Sequence, residues 1–301
     1  MTPLAGDEPL IDVHAHFYHP DSGRSDWHEV NAARMRAGER IGITWHVASI
    51  LGTYGHRSPT YFPSPDDVVL GNDAMREIAA REHTRVRMYA TVNPNYTRHA
   101  LAEIERCVNH GAVGIKLLAS RRADDPLLDP IAELAAERGL PVLHHIWQHR
   151  RREWPSQEIS DGADLARLAA RHPRVTFILA HIGGGGDWAH TFPAIADHAN
   201  IYPDVSGSGV DRGMLDAALE ALGPERLLWG CDLTMETGLA KLRAFEAIGL
   251  ETEKLSLVRW GNAVRIFPPN TFPGVGPSER ARGVSPTKVA RKTAVRAAER
   301  R

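Results

Sequence analysis

Short apolar runs alternate with longer amphipathic stretches through most of the chain. Residues 10–16 open the series, with Leu10, Ile11, Val13 and Ala15 interleaved with Asp12, His14 and His16. Residues 43–51, 85–92, 112–118, 140–146, 175–180, 200–205 and 226–229 are the further runs of strand type, and 175–180 is so nearly continuous in apolar residues that it reads as a strand buried on both faces. Between them lie segments with helical start and stop signals. Residues 17–42 are polar and then helical, Pro65-Asp66-Asp67 starts a helix to about His83, and Thr97 starts one that Gly111 stops. A helix over 127–138 is closed by Gly139, and Ser160-Asp161 introduce one that ends near His172-Pro173. Helices are also predicted within 192–198 and over 212–222, 237–248 and 252–260, whereas 53–65, rich in Tyr, Pro, Gly and Ser, reads as a long loop.

Eight strand-then-helix units in about 250 residues predict an α/β fold of the (β/α)8 TIM-barrel type in a single domain. The rival is an open doubly wound sheet, which would carry a Gly-rich turn after its first strand. Here that place holds His14-Ala15-His16. The barrel is assigned to residues 1–272, and 273–301 to a basic, disordered tail with eight Lys or Arg against Glu279 and Glu299.

Composition narrows the function classes. A hydrophobic content of 43% is enough for a full core, and a net charge of −1 argues against a nucleic-acid or membrane partner. Two cysteines, Cys107 and Cys231, make no disulfide framework and fit a reducing compartment. With no apolar run near 18 residues and no signal-peptide core, a soluble cytoplasmic protein is expected.

The chemistry begins at His14 and His16. Two residues apart on a strand they face the same way, roughly 7 Å apart, and can share a metal ion. With 16 His in the chain, chance alone would supply about one such pair, so the motif needs company. Lys116, His144, His145, His181 and Asp232 stand at or just past the ends of later predicted strands, where a barrel gathers its catalytic groups. His and Asp together suit zinc or a similar divalent ion.

On these residues the chain resembles the amidohydrolase superfamily, in particular the amidohydrolase-related branch that also holds the aminocarboxymuconate-semialdehyde decarboxylase group. The matching pieces are Ile11-Asp12-Val13-His14-Ala15-His16, Gly114-Ile115-Lys116-Leu117, Leu140-Pro141-Val142-Leu143-His144-His145, Ile178-Leu179-Ala180-His181-Ile182-Gly183-Gly184, Leu228-Trp229-Gly230-Cys231-Asp232 and Gly261-Asn262-Ala263. The resemblance implies His14, His16, His145 and Asp232 as metal ligands, with Asp232 also moving protons and His181 assisting catalysis. His145 is preferred to His144 on the family spacing, and because only one of two strand neighbours faces inward. Lys116 is a carboxylated bridge in two-metal relatives, or else a structural or substrate-contacting residue. One zinc is expected, with manganese, iron or a second metal as alternatives, and the family suggests a homodimer.

A metal-activated water then implies hydrolysis of an amide, ester or lactone. The alternative is a non-oxidative, metal-dependent decarboxylase. Relatives of that kind tend to carry an added segment between strands one and two, and the short 17–42 stretch favours the hydrolase. A third reading, a catalytically inactive binding barrel, would be expected to lack a ligand. The mouth would offer Tyr54, Arg57 and Trp147, with His56, Tyr61, Phe62 and Arg150 to Arg152 nearby, a set suited to a small carboxylate, with or without a ring. Gly183 to Gly186 read as a flexible turn, Cys231 as a buried thiol and Asn262 as a structural hydrogen bonder.

Overall fold

In the computed structural model the described residues are 8–22, 24–50, 58–59, 61–146, 157–182, 188–207, 213–232 and 235–275. The strands β1 (Ile11–Phe17), β2 (Trp45–Ile50), β3 (Val86–Val92), β4 (Ala112–Leu117), β5 (Val142–His144), β6 (Phe177–Leu179) and β7 (Ile201–Pro203) form one parallel sheet in sequence order. Residues 227–232 close it as an eighth stave. Leu228 pairs in parallel with Asp204 and Asp232 with Ala15, and the N–H groups of Val205 and Asp232 donate to Leu228 O and His14 O at 2.9 and 2.7 Å. The (β/α)8 barrel expected from the alternation is therefore the observed architecture.

Helices α1 (Trp27–Ile41), α2 (Pro65–Arg81), α3 (Thr97–Val108), α4 (Asp129–Arg138), α5 (Gly162–Arg171), α6 (Trp188–Ile195), α7 (Met214–Leu222) and α8 (Met235–Ala247) follow the strands, and α9 (Thr252–Ser256) and α10 (Asn262–Ile266) complete the described body. Local signals set several ends. Ser64 accepts from Asp67 N at the start of α2, and Asp161 and Asp164 cap each other's backbone at the start of α5. Helix α6 begins earlier than its sequence pattern proposes, because Trp188, Phe192 and Ile195 fall on one face and pack inward. The predicted helix over 252–260 runs on to Ile266 through a wide π turn at Leu257–Gly261. There Val258 O accepts from Trp229 N at 3.2 Å and ties the last helices to the closing stave.

Two clusters divide the core. The larger lies between strands and helices, and the smaller fills the barrel interior with Ile11, Val13, Val47, Tyr89, Val113, Leu143, Ile178 and Leu228, plugged by Ala263, Phe267 and Phe272. Strand β1 changes sides between them. Ile11 and Val13 belong to the inner cluster, Ala15 and Phe17 to the outer one, and the β1–β2 register shifts between Asp12 and Ala15. Simple alternation over 10–16 does not anticipate this bulge, which turns His14 and His16 inward just above the apolar plug. Val275 still packs against the inner cluster, and the rest of the predicted tail, 276–301, lies outside the described residues. Among the described residues no helix is long and apolar enough to cross a membrane.

Candidate active site

The C-terminal ends of the staves bring the histidines together. His14 Nε2 and His16 Nε2 lie 3.1 Å apart, and Asp232 Oδ1 is 3.2 Å from His16 Nε2 and 4.0 Å from His14 Nε2. Each imidazole is committed at its other nitrogen, His14 Nδ1 to Asp204 Oδ2 at 2.9 Å and His16 Nδ1 to Ser49 Oγ at 3.0 Å. With Nδ1 engaged in this way, both Nε2 atoms face one point together with a carboxylate oxygen, which is the donor set of a divalent-ion site. His14, His16 and Asp232 form one compact donor group, and His14, His181 and Asp204 form another around the same imidazole.

His145 and His181 extend the array. His181 Nε2 is 3.1 Å from His145 Nδ1, and His181 Nδ1 is 3.6 Å from Asp232 Oδ2. His144 takes the other face of β5, with its Nδ1 3.0 Å from the carbonyl of His145. His145 thus stands with the inward groups and His144 does not, although His145 is outside both compact donor groups. Lys116 is fully buried, and its Nζ lies 2.8 Å from His14 Nε2. The ring of Tyr61 sits 5.1 Å from that of His145. Tyr54, Arg57 and Trp147, expected to contact substrate, and Gly183 to Gly186 lie outside the described residues.

Burial governs the protonation states. It pushes His16 down to about 4 and His181 down to about 3, and drives His145 well below the ordinary histidine value, so these imidazoles are neutral near pH 7. Burial alone would raise Asp232, but the surrounding His181, His16 and His14 hold it well below the usual carboxylate range. Asp204 is lowered in the same way, against its burial, by His14 and His181. Burial lowers Lys116 to about 7, with Asp232 and Asp204 opposing the shift. Neutral imidazoles beside an ionised carboxylate are the states a metal ion requires.

Two of these residues have backbones in the left-handed region, His181 at φ 69° and Asp232 at φ 58°. That conformation is uncommon for non-glycine residues, though Asp and His adopt it more readily than most, and here it is held by contacts on both backbones. His181 N donates to Asp204 Oδ1 at 3.2 Å, and Arg34 Nη1 donates to Asp232 O at 2.7 Å.

Four supporting residues escape the sequence reading. Asp204 and Ser206 follow β7, where the Ser206 hydroxyl lies 3.1 Å from both His14 Nδ1 and His181 Nδ1 and donates to Asp204. Asp12 and Arg34 form a buried ion pair on the helix side of β1. The available signal was a charged residue in an otherwise apolar strand, Asp12 within Leu-Ile-Asp-Val and Asp204 within Tyr-Pro-Asp-Val. Cys231 is a fully buried thiol and Asn262 donates to Pro224 O and Leu227 O, both as expected.

A barrel whose mouth gathers buried imidazoles, an ionised aspartate and a lysine defines an enzyme of the metal-assisted kind. The chain belongs to the amidohydrolase family, whose model matches residues 11–268. It is similar to the gamma-resorcylate decarboxylase of Polaromonas sp. (strain JS666 / ATCC BAA-500), 24% identical over 320 residues that cover 88% of this chain and 96% of that protein. The fold is matched by the 2,6-dihydroxybenzoate decarboxylase from Rhizobium, with a TM-score of 0.67, 17% identity and coverage of 86% of this chain and 98% of that one. A dihydroxybenzoic acid decarboxylase from Polaromonas sp. JS666, solved with manganese and 2-nitroresorcinol, matches with a TM-score of 0.66, 18% identity and coverage of 86% and 97%.

These relatives correct the expectation of a hydrolase in favour of its alternative, the decarboxylase. The length of 17–42 misled because a connection between strands reports the size of a surface segment and not the bond that breaks. A His and Asp metal set serves either chemistry.

Proposed function

We propose that the chain is a metal-dependent, non-oxidative decarboxylase of a small aromatic carboxylic acid. The observation that carries the reading is the convergence of His14, His16 and Asp232 on one point at the barrel mouth, in a chain that aligns with nearly the whole of a gamma-resorcylate decarboxylase. In this reading His14, His16, His145 and Asp232 hold one divalent ion, and manganese is the first to test because a structural relative carries it. When bound, the ion would supply positive charge that favours an anionic substrate at the barrel mouth.

The chain's own groups then position the substrate and move one proton. The Tyr61 ring beside His145 supplies an aromatic wall at the mouth. Lys116, buried and lowered to about 7, offsets part of the negative charge of Asp232 and the bound acid in its protonated form. The His181 and Asp232 pair, 3.6 Å apart and neutral and ionised respectively, takes up a proton from solvent and relays it to the ring carbon that bears the carboxylate. The bond from that carbon to the carboxylate then breaks, its electron pair restores the aromatic ring, and carbon dioxide leaves. The net reaction consumes one proton and no water.

The test is a panel of hydroxylated benzoates incubated in deuterium oxide with the manganese-loaded protein. Carbon dioxide release with one deuterium at the vacated ring position is the expected result. Cleavage of esters or lactones with no carbon dioxide from any benzoate would overturn the reading.

A further inference from the structure

We propose that Arg34, on α1 and outside the ring of side chains at the barrel mouth, is a positioning residue that holds Asp232 in its site conformation. The proposal rests on the reading of Asp232 as a metal ligand. Arg34 is 7% exposed, and its fork spans two acceptors on different staves. Nη1 donates to the main-chain carbonyl of Asp232 at 2.7 Å, and Nη2 donates to Asp12 Oδ2 at 2.9 Å. Asp12 is fully buried, and its Oδ1 accepts from the N–H groups of Cys231 at 3.0 Å and His14 at 3.1 Å. His46 Nδ1 completes the carboxylate's partners at 3.2 Å from Oδ2.

The consequence falls on Asp232. Its N–H is fixed to His14 O at 2.7 Å, and its carbonyl is fixed by Arg34, so the peptide groups on both sides of its α-carbon are pinned while φ stays at 58°. That conformation is disfavoured for an L residue and persists where contacts over-determine it. Release of the carbonyl lets the residue relax toward negative φ, which turns the carboxylate away from His16 Nε2, now 3.2 Å from Oδ1. One guanidinium therefore ties the closing stave to the β1 bulge, directly at Asp232 and through Asp12 at His14. Its planar fork suits that span, whereas a compact ammonium on a flexible stem does not.

A purely structural ion pair would look alike in a stability measurement, so the test reads the metal environment. Apo protein is titrated with cobalt(II), and the affinity and the visible absorption bands of the ion are recorded for wild type, Asp232→Ala, Arg34→Lys, and the pair Asp12→Asn and Asp12→Asn/Arg34→Met. Arg34→Lys keeps the charge opposite Asp12 and with it the fold. The double variant removes the clamp without leaving either charge buried alone.

Expected is a cobalt affinity at least about tenfold weaker in Arg34→Lys than in wild type, and in the double variant than in Asp12→Asn, with altered absorption bands in both. Wild-type affinity and bands in Arg34→Lys, and those of Asp12→Asn in the double variant, whatever their melting temperatures, would overturn the positioning role and leave the ligand reading intact. Cobalt binding that Asp232→Ala does not weaken would instead overturn the ligand reading, and the proposal with it.

Discussion

Asp204 and His14, 190 positions apart in the chain, meet with Oδ2 and Nδ1 2.9 Å apart in the fully buried floor of the site. A carboxylate on Nδ1 fixes the ring's orientation and its tautomer and leaves Nε2 to accept. Asp204→Ala is therefore expected to weaken divalent-ion affinity by about 10- to 100-fold, measured by competition with a chelator of known affinity. Ser206, whose hydroxyl also lies 3.1 Å from His14 Nδ1, does not substitute, because a neutral hydroxyl shared with His181 Nδ1 supplies none of the carboxylate's charge. Unchanged affinity would reduce Asp204 to a structural partner of β7.

Removal of the ion should stop the reaction. Dialysis against a chelator is expected to abolish carbon dioxide release from a benzoate substrate, and manganese to restore it. His14→Ala is expected to lose at least about 10³-fold of the rate with no recovery on adding metal, a barrier change of about 4 kcal/mol. Metal per chain, measured by plasma mass spectrometry, should be about one for wild type. Two would bring Lys116 and the His14, His181 and Asp204 group into the count.

Gly114 supports the site from beneath. A Cβ there would stand 2.7 Å from Tyr89 Cε1, 2.8 Å from Cδ1 and 3.0 Å from Pro141 O. Tyr89 is buried, and its hydroxyl donates to Val13 O, one residue before His14, at 2.8 Å. Gly114→Ala should cost about 1–3 kcal/mol in denaturant unfolding, because neither the ring nor the carbonyl has room to give way. A neutral result would mean that Tyr89 repacks freely.

Glu103 couples acid sensitivity to helix packing. Burial alone would raise its carboxyl, but Arg106 and Asn72 hold it below the ordinary glutamate value. A carboxyl lowered in the folded state stabilises fully above its unfolded value, about 4.3, and loses that contribution as pH falls through the folded one. Glu103→Gln should thus be less stable than wild type by about 1–3 kcal/mol at pH 7, with the gap closing below about pH 4. A gap constant from pH 7 to pH 3 would show that the charge of Glu103 contributes nothing.

Much of the fold was legible because it is written at short range. Gly111 and Gly139, Pro65 and the Asp161-to-Asp164 capping pair delimit helices from within a few residues, and the strand runs announce themselves by apolar content. The boundaries that slipped, the start of α6 and the continuation past Trp260, depend on partners far away in the chain, the inward packing of Trp188 and the pairing of Trp229 with Val258. His14, His16, His145, His181, Lys116 and Asp232 stood out as chemically active types at strand ends. Asp204, Ser206 and Arg34 did not, since one is an acid enclosed in the apolar run 200–205, one a small hydroxyl and one an arginine on an amphipathic helix.

The sequence by itself determined the alternation of strands and helices, hence the barrel, and the inventory of imidazoles and carboxylates at its mouth. Those follow from side-chain period and residue type, which are local properties. Tertiary structure decided which of those groups meet, because the bulge at Asp12 to Ala15 turns His14 inward and the left-handed backbones of His181 and Asp232 aim their side chains. Contacts from Asp204 and Arg34 hold that arrangement across 190 and 198 positions of chain, and no pattern of near neighbours specifies a distance of that kind.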